Sequence, residues 1–175
     1  ITLDGKKIDY DVTDKIGFLT EERSLLTKLT VKEQCLFYGR LKGMSNEKIL
    51  NKLDLLLEKF EIKDYKDKKI KELSKGNQQK IQFIMALLPD PILLILDEPF
   101  SGLDPVNTEI IRNIIIELVN KGKYIIMSAH QMSVVEEFCT DILILNKGKT
   151  VLQGNLKQIK DNYKANKIFI STKQD

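Results

Sequence analysis

Asp97 and Glu98 follow directly on the apolar run Ile92-Leu93-Leu94-Ile95-Leu96 and are closed off by Pro99. Five consecutive apolar residues predict a strand buried on both faces, as at the centre of a parallel sheet. The C-terminal end of such a strand opens onto the ligand crevice of an open α/β sheet, and Pro99, lacking an N–H, ends the ladder there. Adjacent strand residues point to opposite sides, so one acid can hold a metal while its neighbour polarises a water. Read alone, the pair fits turn acids after a core strand equally well. Three further stretches accompany it: Leu73-Ser74-Lys75-Gly76-Asn77-Gln78-Gln79, Ser101-Gly102-Leu103-Asp104, and Ser128-Ala129-His130 with the sole histidine of the chain.

The elements that must position these groups are legible from periodicity and punctuation. Ile16-Gly17-Phe18-Leu19 predicts a short strand, followed by the polar loop Thr20-Glu21-Glu22-Arg23-Ser24. Thr30, with Glu33 three residues on, predicts a capped helix start. A second helix is expected over about 46–60, with Ile49, Leu50, Leu53, Leu56, Leu57 and Phe60 at helical spacing, a stripe that core packing explains. A third helix opens at 73–76 and stops at Pro89, and a fourth covers about 106–120. Another buried strand is expected over 124–128, a helix over 132–139 and a strand over 141–145, with a hairpin turn at 146–149 and a return at 150–153. A helix over 155–163 and a strand over 167–171 complete the reading. Alternating strands and helices predict an α/β fold with a mainly parallel sheet.

A chain of 175 residues fits one domain with a sizeable core, and its 42% hydrophobic and 30% charged residues are ordinary for a globular protein. The net charge of +3 comes from dispersed lysines and implies no nucleic-acid partner. Cys35 and Cys139 stand far apart and a single His accompanies them, which argues against a zinc site or disulfide framework and for a reducing cytosol. The most apolar region, 83–96, is broken by Pro89-Asp90-Pro91 and is too short to span a bilayer. No basic stretch with an apolar core opens the chain as in a signal peptide. Residues 1–7 read as a strand and turn entered midway, without a starting Met, so we expect a fragment of a longer protein.

Taken in order, these stretches closely resemble the ATP-binding cassette, the nucleotide-binding subunit of ABC transporters, over about residues 16–152. Leu73 to Gln79 resembles the signature, usually LSGGQ; 92–99 resembles Walker B with its catalytic Glu; 101–104 the D-loop; and His130 the switch histidine. The resemblance implies that Ser74, Lys75, Gly76, Asn77 and Gln78 contact the γ-phosphate of ATP bound to an opposite cassette, so that the working unit is a homo- or heterodimer. The residue chemistry agrees, because a capped helix start offers free N–H groups and a positive dipole end, and Gly76 lets backbone approach an anion. By the same resemblance Asp97 is the Mg²⁺-associated acid, Glu98 the general base, and His130 a γ-phosphate sensor with a catalytic role. Asp104 would lie at the dimer contact, or serve only as a helix-flanking acid ahead of Pro105. The implied architecture is an α/β, P-loop NTPase-like domain spanning 1–175. It would carry a helical subdomain at 24–72 and the start of a C-terminal extension at 155–175.

Three departures qualify the resemblance. Lys75 and Asn77 replace the usual Gly and Gln of the signature. Glu21 stands where the family places its Q-loop glutamine; a carboxylate there can still reach Mg²⁺ or a water, so Glu21 is kept as a candidate cofactor and metal contact. Glu-Glu-Arg together with Ser-Lys-Gly-Asn resembles a subgroup of exporter ATPases that includes sodium-extrusion systems. No G-x-x-x-x-G-K-[ST] occurs among the nine glycines. In the family this P-loop lies upstream, and its strand sits between the switch strand and the strand at 142–145, so the sheet is expected to be incomplete with open edges. The expectation is an ATP- and Mg²⁺-dependent subunit that powers an ABC transporter, an exporter. It would sit in the cytoplasm, peripheral on the inner membrane face through a transmembrane permease, and the isolated chain would be inactive. The alternatives are a soluble ABC-type ATPase acting on nucleic acid or ribosomes without a permease, and a non-catalytic cassette.

Overall fold

The computed structural model describes residues 2–3, 5–7, 10–22 and 24–162. The strand expected over 167–171 lies outside them. Two compact units result, one ending at Ser128 and one beginning at Ala129.

The first unit opens with a two-residue hairpin, β1 (Thr2–Leu3) and β2 (Lys6–Lys7), and is organised around the parallel strands β3 (Ile16–Leu19), β4 (Leu93–Leu96) and β5 (Tyr124–Met127) in that spatial order. The register aligns Leu19 with Leu96 and Leu96 with Met127. Parallel neighbours need long crossovers, and these carry α1 (Val31–Leu41), α2 (Asn46–Lys59) and α3 (Lys75–Leu87) between β3 and β4, then α4 (Pro105–Asn120) between β4 and β5. Both crossovers step in the same direction across the sheet, so right-handed connections place α3 and α4 on the same face, where they pack together.

That handedness corrects the expectation for β4. Leu94 and Leu96 are fully buried on the helix-covered face, but Leu93 and Ile95 are only half-buried. On their face the neighbouring strands leave Phe18 51%, Tyr124 59% and Ile126 59% exposed, so β5 is not the buried strand expected either. An apolar run marks a strand for burial without saying how many faces its partners cover. Among the described residues β5 has no strand on its outer edge.

The helices form as the sequence directs. Thr30 accepts from the Glu33 N–H while the Glu33 carboxylate accepts from the Thr30 N–H, closing the capping box before α1. On α2, Ile49, Leu53 and Leu57 are fully buried and Leu50 half-buried, and the capping residue Phe60 meets Phe83 of α3 with ring centroids 5.6 Å apart. Each such side chain adds about 2 kcal/mol through burial. α3 is buried on almost every side, Gln79, Lys80 and Gln82 included, because it is packed against β3, α1, α2 and α4. Gly17 of β3 permits the closest of these approaches, its missing side chain leaving room for the Ala86 carbonyl. Asp90, in the left-handed region at φ 56°, ties the chain ahead of β4 to Lys52 of α2 at 3.4 Å and to Lys123 at 3.1 Å.

The second unit contains α5 (Met132–Phe138), the antiparallel pair β6 (Asp141–Asn146) and β7 (Lys149–Asn155), and α6 (Leu156–Asn162). Lys147 at φ 49° and Gly148 at φ 74° form the two-residue turn, both on the positive side that a type I′ hairpin requires. The expected return at 150–153 is thus part of a longer strand. No described helix is long and apolar enough to cross a membrane.

Candidate functional site

Parallel pairing brings three strand ends to one edge of the first unit. The Asp97 N–H donates to the Leu19 carbonyl at 2.9 Å and the Ser128 N–H to the Leu96 carbonyl at 3.0 Å, extending the ladder one residue past each strand. Thr20-Glu21, Asp97-Glu98 and Ser128 therefore follow in register along the C-terminal edge, where open α/β sheets bind ligands.

The acid pair is held by Ser128. Its hydroxyl donates to Asp97 Oδ1 at 2.5 Å, the short distance of a charge-assisted bond, and its Oγ accepts from the Glu98 N–H at 2.9 Å. Glu98 lies at φ 46°, a left-handed backbone that costs a non-glycine residue about 1 kcal/mol or more. Two hydrogen bonds at this exposed edge contribute about 1 kcal/mol each, enough to offset that strain. Asp97 Oδ2 receives no hydrogen bond from the described residues. It offers a hard oxygen donor, which suits Mg²⁺ better than soft metals. Among the described residues no three His, Cys, Asp or Glu side chains meet in a metal cluster, so a bound Mg²⁺ would draw its remaining ligands from water and phosphate, as that ion ordinarily does.

Glu21 is exposed, on a segment fixed from below by α3. Gln82, 4% exposed, donates its Nε2 to the Thr20 carbonyl and to Thr20 Oγ1, both at 2.9 Å, and to the Glu22 carbonyl at 3.4 Å. Three oxygens at one end of the amide fix that end as the nitrogen. Its Oε1 is buried without a hydrogen-bond partner among the described residues.

The signature-like stretch starts α3. Ser74 caps it, accepting from the Asn77 N–H at 3.2 Å, and Ser74 and Lys75 are exposed. Gln78 turns back instead, donating to the Ile70 carbonyl at 3.2 Å and the Leu73 carbonyl at 3.1 Å. Gly76 is buried against α4: a Cβ there would stand 2.7 Å from Asn107 Nδ2. Asn107 in turn donates its N–H to Asp104 Oδ1 at 2.9 Å and its Nδ2 to Asp104 Oδ2 at 2.5 Å, so the starts of α3 and α4 are brought together. The backbone bond from Asn107 leads the effects that hold the Asp104 carboxyl below its ordinary range. Lys80, underneath, is pushed down by burial, against the opposing fields of Glu61 and Asp104. His130 is exposed in the second unit, immediately before Gln131, the N-cap of α5.

Ser128 and Gln82 escaped the sequence reading. A serine past a strand and a glutamine inside a helix are ordinary residues. The one signal was adjacency, since Ser128 belongs to the stretch that supplied His130.

An edge acid pair on a parallel sheet, a capped helix start beside an Asp-capped one, and a three-helix crossover between β3 and β4 fit the ABC-type ATP-binding domain that the sequence resembles. Residues 1–101 match the ABC transporter family, and the chain belongs to it. It is 49% identical over its full length to the uncharacterized ABC transporter ATP-binding protein YhaQ of Bacillus subtilis, spanning 59% of that protein. It is 32% identical to the ABC transporter ATP-binding protein NatA of Bacillus subtilis, over 98% of the chain and 72% of NatA. The structure of cbiO1 from Clostridium perfringens, part of the ABC transporter complex cbiONQ, superposes with a TM-score of 0.76 at 27% identity, covering 91% of this chain and 67% of that one. The fold is thus the P-loop NTPase fold of ABC ATPase domains, and the chain spans about 59% of the YhaQ relative's length.

Proposed function

We propose that the full-length protein hydrolyses ATP with Mg²⁺ to drive a transmembrane permease, and that it works as an exporter. The observation that carries this reading is the Asp97–Glu98 pair at the edge of β4 in a member of the ABC transporter family. Glu98 would accept a proton from the attacking water, and Asp97 would hold the metal through its carboxylate. Bound Mg²⁺ supplies charge neutralisation on the phosphates. Ser74, Lys75, Gly76, Asn77 and Gln78 act at the α3 N-terminus, where Ser74 and the free helix amides receive the γ-phosphate of ATP held by a second cassette; Gln78 serves that site by fixing the turn ahead of Ser74 through Ile70 and Leu73. His130 senses an ATP γ-phosphate, Asp104 sets the dimer contact, and Glu21 reaches the metal or a water.

The helical block from about Val31 to Ile70 receives the permease, and the protein sits peripherally on the inner face of the membrane through it. The exporter assignment rests on the Glu21-Glu22-Arg23 and Ser74-Lys75-Gly76-Asn77 variants. A purified full-length protein is expected to turn over MgATP, while the 175-residue chain alone, which carries no GxxxxGK[ST], is expected not to. Robust turnover by the short chain, abolished by Glu98→Gln, overturns the second half of this reading. Charge reversals on the exposed face of this block are expected to uncouple transport while sparing basal ATPase; unchanged transport across such a set contradicts the docking role.

A further inference from the structure

We propose that Ser128 is the positioning residue of the acid pair, setting at once the rotamer of Asp97 and the left-handed backbone of Glu98. The inference rests on the ATPase reading for its catalytic consequence, and on geometry alone for the contact itself. One hydroxyl meets both acids: it donates to Asp97 Oδ1 at 2.5 Å and accepts from the Glu98 N–H at 2.9 Å. Using Oδ1 in this way leaves Oδ2 as the oxygen without a hydrogen bond from the described residues, so the carboxylate presents a chosen oxygen. Pinning the Glu98 amide holds that residue at φ 46°, and the turn is completed by the Ser101 N–H donating to the Glu98 carbonyl at 3.0 Å. A relaxed Glu98 backbone would re-aim the Cα–Cβ bond that this turn sets.

Ser128 itself is placed by the sheet, because its N–H continues the β4–β5 ladder to the Leu96 carbonyl. The end of β5 thereby sets the position of both acids through one oxygen. Threonine keeps this hydroxyl and tolerates an extended backbone, whereas alanine removes the donor and the acceptor together.

The test compares Ser128→Ala and Ser128→Thr in two assays. In the 175-residue chain, amide exchange followed by NMR is expected to show the Glu98 N–H exchanging at least about tenfold faster in Ser128→Ala, with the Leu94 and Leu96 amides unchanged and Ser128→Thr close to wild type. In the full-length protein, Ser128→Ala is expected to lower kcat about tenfold at unchanged KM for ATP and to raise the Mg²⁺ concentration needed for half-maximal rate, with Ser128→Thr restoring both. Unchanged Glu98 exchange, or a kcat for Ser128→Ala equal to wild type, overturns the proposal. A wild-type protein that does not hydrolyse ATP sinks the functional reading instead, and the exchange measurement still decides the role of Ser128.

Discussion

Gly17→Ala tests the close approach of the α3 backbone to β3. A Cβ built on Gly17 collides with the Ala86 carbonyl oxygen and lies 2.9 Å from Leu94 Cδ2 and 3.0 Å from Pro91 Cγ. The two side-chain atoms can yield, but the oxygen belongs to the backbone of α3, which is buried on nearly every side and cannot rotate away. Relief therefore needs α3 and β3 to separate by roughly 1 Å, and overpacking of this kind costs about 1–3 kcal/mol. With a backbone atom as the obstacle the upper end applies, about 3 kcal/mol, which moves the urea midpoint down by roughly 1–2 M. Gly39→Ala is the internal comparison, since its Cβ meets the Cδ1 and Cγ1 atoms of Ile49 at 2.6 Å, side-chain atoms able to change rotamer, and it is expected to cost less. Equilibrium unfolding of both variants against wild type gives the ranking. A Gly17→Ala change below about 0.5 kcal/mol, or one smaller than that of Gly39→Ala, refutes the claim that α3 is seated on β3 by backbone contact.

Two further outcomes follow from the ionisable groups. Partial desolvation pushes the Asp90 carboxyl up, but the hydrogen bond from Lys123 and the fields of Lys52 and Lys123 outweigh it, leaving the group below its ordinary range. Its contribution is therefore present above about pH 4 and lost as pH falls through the lowered folded value. Because Asp90 is 71% exposed, Asp90→Asn is expected to cost under about 1 kcal/mol at pH 7 and to converge with wild type toward about pH 2 in urea titrations; a difference that persists there contradicts the linkage. Burial raises the Cys35 thiol to about 12, while Cys139 is raised but only half-buried. A thiol reagent at pH 8 is expected to modify Cys139 in the native protein and Cys35 only after unfolding, and equal labelling rates would count against the packing of α1.

What the sequence revealed and what it withheld divide along physical lines. Local devices were legible: the Thr30–Glu33 capping box, the α2 stripe, Ser74 and Asp104 ahead of their helices, and the Lys147-Gly148 turn all depend on neighbours within a few residues. The faces of β4 and β5 were not, because coverage depends on the hand and direction of two long crossovers. Gln79, Lys80 and Gln82 are burials that a helical pattern hides, since polar residues ordinarily mark a solvent face and α3 has almost none. Ser128 acquires its role only when parallel pairing sets β5 beside β4 and brings its hydroxyl to acids 31 and 30 positions away. The left-handed Glu98 likewise carries no mark in residue type.

The claim that the β4 edge is a hydrolytic centre is tested most directly by Glu98→Gln in the full-length protein, with MgATP binding and steady-state hydrolysis measured side by side. The glutamine is nearly isosteric and cannot accept the proton of the attacking water. ATP is expected still to bind while turnover falls by at least about a hundredfold, the scale of a lost general base. Hydrolysis by the variant at the wild-type rate would contradict it.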